Sequence, residues 1–191
     1  MSSGLSRSSA ERLDPAAAVE AVLHGLPADA VVVVDGRSGA GKSTFARALT
    51  ASWSERTAVE LVALDDLYPG WDGLSAGSGY ALARILRPRA RGHVTSWQQW
   101  DWERDRYDAV RTCPPGRALV LEGSGSLTPA SAAIASTSVW LDAPDALRRR
   151  RALERDGETY LPHWERWAAQ EDEHIRKHDP RGIATRVFDL G

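Results

Sequence analysis

Residues 36–44 read GRSGAGKST, a glycine-rich stretch with one lysine followed by two hydroxyl residues. The pattern G-x-x-x-x-G-K-[ST] is what a chain needs to curl its backbone N–H groups around phosphate oxygens. Gly36, Ser38, Gly39, Ala40, Gly41, Lys42, Ser43 and Thr44 are therefore the candidate nucleotide-phosphate ligands. Lys42 is placed to bridge the terminal phosphates of ATP, and Ser43 to ligate Mg²⁺. Only two of the 24 Lys and Arg residues are lysine. A lysine in a chain that otherwise uses arginine marks a position requiring a compact point charge, which a planar guanidinium does not supply.

A second cluster, DDLYPGWDG, follows an apolar run. Asp65 and Asp66 end a predicted strand, and in an open α/β sheet the ligand lies beyond the carboxyl ends of the strands. Phosphoryl transfer to an alcohol needs one carboxylate to orient the hydroxyl and accept its proton. Adjacent residues of a strand point opposite ways, so only one of the two aspartates serves as base. Tyr68, Trp71 and Asp72, on the loop that follows, are candidate contacts to the acceptor, and so is the second aspartate, Asp66.

Four consecutive arginines occupy 148–151, with Arg155 one turn on. On a helix Arg148, Arg151 and Arg155 share a face and could close over a triphosphate, stabilising the transferring charge. Eight tryptophans against two phenylalanines is an unusual aromatic balance. Trp100 and Trp102 are expected on one strand face, where they could stack on a planar base or sugar ring. Trp164 and Trp167, at helical spacing, are expected in the core. His174 and His178 lie four apart beside Glu171, Glu173 and Lys177, and are read as part of a solvated charged helix face.

These groups need a frame. AVVVVDG at 30–36 is apolar on both faces, as in a central parallel strand, and the phosphate loop joins it to a helix beginning KSTFARALTASW. Strands at 59–64, 118–123, 138–142 and 185–190 alternate with helices at 15–25, 79–87, 129–135, 144–157 and 161–178. The expectation is an α/β fold with a five-stranded, mainly parallel sheet flanked by helices. Residues 88–117 break the rhythm and read as a β-hairpin insertion, with 144–160 as a short Arg-rich lid. Residues 1–12 are expected to be a flexible tail ahead of one domain over 13–191.

With 191 residues, a net charge of −2 and pI near 6.2, the chain shows no electrostatic footprint for nucleic acid. One cysteine cannot form an internal disulfide, and neither a secretory h-region nor a membrane-length apolar run is present. A cytoplasmic protein with a small-molecule partner is the expectation. Neither the oligomeric state nor the acceptor is legible.

Several segments resemble the uridine kinase and phosphoribulokinase family of P-loop kinases. DDLY is similar to the family's D-S-F-Y segment, VLEG at 120–123 to its V-x-E-G strand end, and WDW at 100–102 to its Y-D-F hairpin triplet. The resemblance implies that Asp65 is the catalytic base, that Glu122 lies near Mg²⁺, and that Trp100, Asp101, Trp102 and the nearby Arg104 face the acceptor. It implies transfer of the γ-phosphate of MgATP to a hydroxyl of a nucleoside-like metabolite. A kinase for another alcohol, such as pantothenate, a sugar or an antibiotic, and a nucleotide-binding regulatory ATPase remain open.

Overall fold

A computed structural model describes residues 11, 12, 14–53 and 58–190. Its elements run β1 (Glu11–Arg12), α1 (Pro15–Leu23), β2 (Val31–Gly36), α2 (Lys42–Ala51), β3 (Val59–Ala63), α3 (Leu74–Ala81), α4 (Arg87–Ala90), β4 (Thr95–Asp101) and β5 (Arg106–Cys113). They continue with β6 (Ala118–Glu122), α5 (Pro129–Ala132), β7 (Thr137–Asp142), α6 (Asp145–Tyr160), α7 (Trp164–His178), α8 (Pro180–Ile183) and β8 (Arg186–Asp189).

The sheet order is β3-β6-β2-β7-β8-β1, with every neighbouring pair parallel. The five expected strands are β2, β3, β6, β7 and β8. A sixth is short: Glu11 and Arg12 pair with Phe188 and Asp189, giving the outer edge of β8 backbone partners. Two residues expected to belong to the N-terminal tail thus lie in the sheet, and the rest of that tail falls outside the described residues.

The apolar run of β2 is buried at all six positions because both sheet faces are covered. Val31 and Val33, with Leu119 and Leu121 of β6, pack under Tyr68, Leu74, Ile85, Trp97 and Trp167. Val32 and Val34, with Val120 and Val139, face Ala18, Val22, Phe45 and Leu49 of α1 and α2. This alternation is the period of two of a strand read against two helical layers.

One helical region exceeds its predicted length. Helix begins at Leu74 rather than 79 and widens to π geometry over Leu82–Leu86 before α4. Its early start uses Gly77, where a Cβ would come within 2.6 Å of the Tyr68 ring. The widening precedes Pro88, which has no N–H to continue a regular ladder. The hairpin β4/β5 forms a separate antiparallel pair, anchored by Trp97 in the core and by Tyr107 Oη donating to Leu67 O at 3.0 Å.

Candidate active site

The phosphate loop leaves the carboxyl end of β2, the strand bordered by β6 and β7. Gly39 (φ 79°) and Gly41 (φ 94°) take the left-handed backbone that the curl requires. At Gly39 there is also no room: a Cβ would sit 2.0 Å from Arg148 O. Gly41 is the N-cap of α2 and no side chain caps the helix, so its first N–H groups, including those of Lys42, Ser43 and exposed Thr44, face the loop's concavity. Ala40 is fully buried and closes the turn by donating to Arg37 O at 3.0 Å. Lys42 is 8% exposed, and its Nζ donates to Arg37 O and to Ser124 Oγ, both at 3.1 Å. These residues fit a nucleotide triphosphate with Mg²⁺.

Beside the loop opens a cavity of about 660 Å³. Its lining joins Ser38 and Ser43 of the loop to Asp65, Tyr68, Trp71, Trp102 and Glu122. Asp65 sits on a tight turn directly after β3, and Glu122 ends β6, so two strand ends aim their carboxylates at the cavity that Ser43 borders. Ser43 and Glu122 are the groups here that could hold Mg²⁺. Tyr68 is 1% exposed and donates from Oη to Ser124 O at 2.7 Å. Burial, reinforced by the negative charges of Asp65, Asp35, Glu122 and Glu171, holds its phenol well above the usual tyrosine range, so it stays a hydrogen-bond donor.

Trp71 is the centre of the aromatic wall. It stacks on His163 at 4.3 Å and on Tyr160 at 5.5 Å between ring centroids, with Trp102 at 5.1 Å. Trp102 Nε1 donates to Asp65 O at 2.9 Å, tying the hairpin tip to the turn that carries Asp65. Trp167 belongs to the core, as expected, and also lines the cavity. Arg47 and Tyr160 line it too, and neither stood out in the sequence.

Several predicted contacts lie elsewhere. Asp66 borders a separate groove along β3 and accepts from Gln99 Nε2 at 2.8 Å, so the strand end does separate the two aspartates. Trp102 is not on a strand face with Trp100. Asp101 Oδ1 accepts the N–H groups of Glu103 and Arg104, both at 3.0 Å, and Asp105 turns left-handed (φ 53°), so Trp102 swings out on the hairpin turn. Trp100 instead packs edge-on against Tyr107 at 5.0 Å. The Arg104 N–H is foremost among the donors holding the Asp101 carboxyl below its usual range. Arg104 itself pairs with Asp101 and Asp108, and Asp72 pairs with Arg166. None of Asp66, Asp72, Trp100, Asp101 and Arg104 lines the main cavity.

The arginine face divides. Arg148 is 6% exposed, donates to Ser38 O at 3.1 Å and pairs with Asp145. Arg151 reaches Leu190 O at 3.5 Å, at the end of the chain's last strand rather than at the loop. The side chain of Arg155 lies outside the described residues. Helix α6 carries a non-helical residue, Gly157 (φ 56°), ahead of Tyr160, whose Oη donates to Ser38 Oγ at 3.0 Å.

Of the α7 residues expected on a solvated face, Glu173 and Lys177 are exposed, whereas Glu171 and His174 are buried against the loop and its strand. Glu171 is 4% exposed, and its Oε1 accepts from Ser38 N (2.8 Å), Ser38 Oγ (2.8 Å) and Ser124 Oγ (2.9 Å). His174 is buried with Nε2 3.1 Å from Asp35 Oδ2, and Asp35 also takes the N–H groups of Gly36, Gly125 and Leu127. A hint was present: Trp164, Trp167, Glu171, His174 and His178 are spaced 3, 4, 3 and 4 apart, one continuous helix stripe. Two tryptophans marked that stripe as inward-facing, so the Glu and His on it had to be buried with partners. His178 packs 5.1 Å from His174, and burial and that neighbour pull its pKa down. Among the described residues no His, Cys, Asp and Glu group forms a metal cluster.

No protein-family model matches this sequence, and no curated protein does. Solved structures do match. A protein of Bacillus stearothermophilus described as "a Possible Uridine Kinase" superposes with a TM-score of 0.67 at 20% identity, over 92% of this chain and 97% of its own. A "putative fructose transport system kinase" from Silicibacter sp. TM1040 superposes with a TM-score of 0.60 at 21% identity, over 92% of this chain and 99% of its own. The fold is that of the P-loop kinases. Within that fold the loop on β2 and the strand ends of β3 and β6 are the parts brought together here. Among the described residues no helix is long and apolar enough to cross a membrane.

Proposed function

We propose that this P-loop kinase-fold protein is an ATP-dependent phosphotransferase that moves the γ-phosphate of MgATP to a hydroxyl of a small, nucleoside-like metabolite. The observation that carries this reading is one cavity lined both by the phosphate loop, through Ser38 and Ser43, and by Asp65 with its aromatic wall. Donor and acceptor would meet in that space.

In this reading the acceptor hydroxyl lies against Asp65. The acceptor oxygen forms a bond to the γ-phosphorus, the bond to the bridging oxygen of ADP breaks, and the hydroxyl proton passes to the Asp65 carboxylate. Lys42 and the N–H groups opening α2 hold the phosphates, and Arg148 braces the loop through Ser38 O. Mg²⁺, held by Ser43 and Glu122, would spread the charge on the phosphate oxygens. Trp71, Trp102, Tyr160 and Trp167 offer ring faces and edges that suit a planar base.

The test is ADP release with a panel of nucleosides, sugars and vitamins, run on the native chain and on Asp65→Asn. An acceptor should stimulate release, and the substitution should lower kcat by about 10²–10⁴-fold with ATP affinity retained. Slow hydrolysis that no acceptor stimulates would identify a nucleotide-dependent regulator instead.

A further inference from the structure

Both groups that hold the Lys42 ammonium are themselves held by Glu171. The first is Arg37 O, 3.1 Å from Lys42 Nζ. The peptide joining Arg37 to Ser38 is a rigid plane whose carbonyl and N–H point opposite ways. Its N–H donates to Glu171 Oε1 at 2.8 Å, so fixing that end fixes where the carbonyl points. The second is Ser124 Oγ, also 3.1 Å from Nζ. Its hydroxyl has one proton and lies 2.9 Å from Glu171 Oε1 and 3.1 Å from Gly36 O. The charge-assisted bond is the stronger, so the proton goes to Glu171 and a lone pair turns to Lys42.

Glu171 is well placed to keep that arrangement. It is 4% exposed, its Oε2 meets Arg37 Nε at 3.4 Å, and the adjoining turn of α7 is pinned by the His174–Asp35 contact. Asp172 pairs with the same Arg37 from outside. Burying a carboxylate is costly unless several donors meet it, and here the donors are the groups that surround the loop lysine.

We propose that Glu171 is a positioning residue for Lys42, acting through Ser124 and the peptide between residues 37 and 38. Its consequence for turnover rests on the phosphotransferase reading; its consequence for the Lys42 ammonium does not.

The two-lysine composition makes the test direct. Amine-selective acetylation of the full chain, read by peptide mass spectrometry, compares Lys42 with exposed Lys177 in the same tube. Glu171→Gln and Ser124→Ala should each raise the Lys42-to-Lys177 labelling ratio roughly 2–10-fold, the equivalent of one lost hydrogen bond. Ser124→Ala removes a direct Lys42 partner, so its rise calibrates one lost hydrogen bond. Glu171→Asp keeps the charge and shortens the reach, so a rise there comes from lost positioning rather than altered charge. Glu171→Asp also keeps the test open if Glu171→Gln does not fold. With an acceptor present, Glu171→Gln should lower kcat about 10–100-fold at unchanged acceptor KM, as a misplaced group does. An unchanged labelling ratio in Glu171→Asp and Glu171→Gln, or a wild-type kcat in Glu171→Gln, overturns the proposal. If labelling shifts but the native chain turns over no acceptor, the positioning stands and the phosphotransferase reading fails.

Discussion

At Gly39 the phosphate loop lies against the backbone of α6, and Gly39→Ala tests whether that contact holds the site together. The new Cβ would sit 2.0 Å from Arg148 O, 2.6 Å from its C and 2.7 Å from its Cα. All three are backbone atoms, so no rotamer relieves the clash. Reaching 3.0 Å, below which Cβ contacts essentially never occur, requires the loop and the first turn of α6 to part by at least 3.0 − 2.0 = 1.0 Å. That movement removes the hydrogen bond from Arg148 to Ser38 O, now 3.1 Å. A lost bond from a buried guanidinium costs about 1.5–3 kcal/mol. Alanine at φ 79° adds roughly 1–2 kcal/mol of left-handed strain. The sum, about 2.5–5 kcal/mol, lowers the melting temperature by roughly 5–20 °C in a domain of this size. Thermal unfolding followed by near-ultraviolet circular dichroism is a sensitive assay, because Trp164 borders the same small cavity as Arg148. Calorimetric titration with ATP reads the loop itself, and affinity should fall with stability. A melting temperature within about 2 °C of the native chain, with unchanged ATP affinity, would refute the reasoning.

Two further substitutions probe the supports of the site. Tyr68→Phe strips the donor from Ser124 O in a buried setting and should cost about 1–3 kcal/mol in denaturant unfolding. Because burial and the surrounding carboxylates raise the Tyr68 phenol above its ordinary 10.0, its contribution is present below pH 10 and lost as pH rises through the folded value. The native chain should accordingly lose stability faster than Tyr68→Phe on the alkaline side; parallel curves there would count against a protonated Tyr68. Asp145 shifts the opposite way, its carboxyl held below the ordinary 3.8 by the hydrogen bond and charge of Arg148. Its contribution is present above 3.8 and disappears as pH falls through the folded value, so Asp145→Asn should show a shallower acid limb in a pH-dependent melt.

The phosphate loop was legible because its chemistry is local. Nine consecutive residues carry the turn, the helix start and the lysine, and no distant contact is needed to recognise them. The strands were legible because an all-apolar β2 demands cover on both faces. Asp65 and Asp66 were separable at the same level, since alternation at a strand end sends one carboxylate to the cavity and the other to Gln99.

The hairpin and α7 were read less well. Trp100 and Trp102 look equivalent by period-two counting, yet Asp101 caps a turn that takes Trp102 off the strand and to the Asp65 carbonyl. Glu171 and His174 look like members of a charged surface, since a run of Glu, Asp, His, Arg and Lys has no local sign of burial. Their partners are Ser38, 133 positions away, and Asp35, 139 positions away.

By itself the sequence determined the glycine-rich loop: where the strand ends, where the backbone curls, and where its lysine opens the helix. Each of those follows from residues within one turn of one another. Only the tertiary structure decided how that loop is held and what faces it. Carboxylates on α7 and Tyr160 of α6 reach the loop, and the hairpin's Trp102 and the Asp65 turn reach the cavity beside it, all from distant parts of the chain. What joins them is packing across the ends of a parallel sheet, in which β2 lies between β6 and β7, both far from it in sequence.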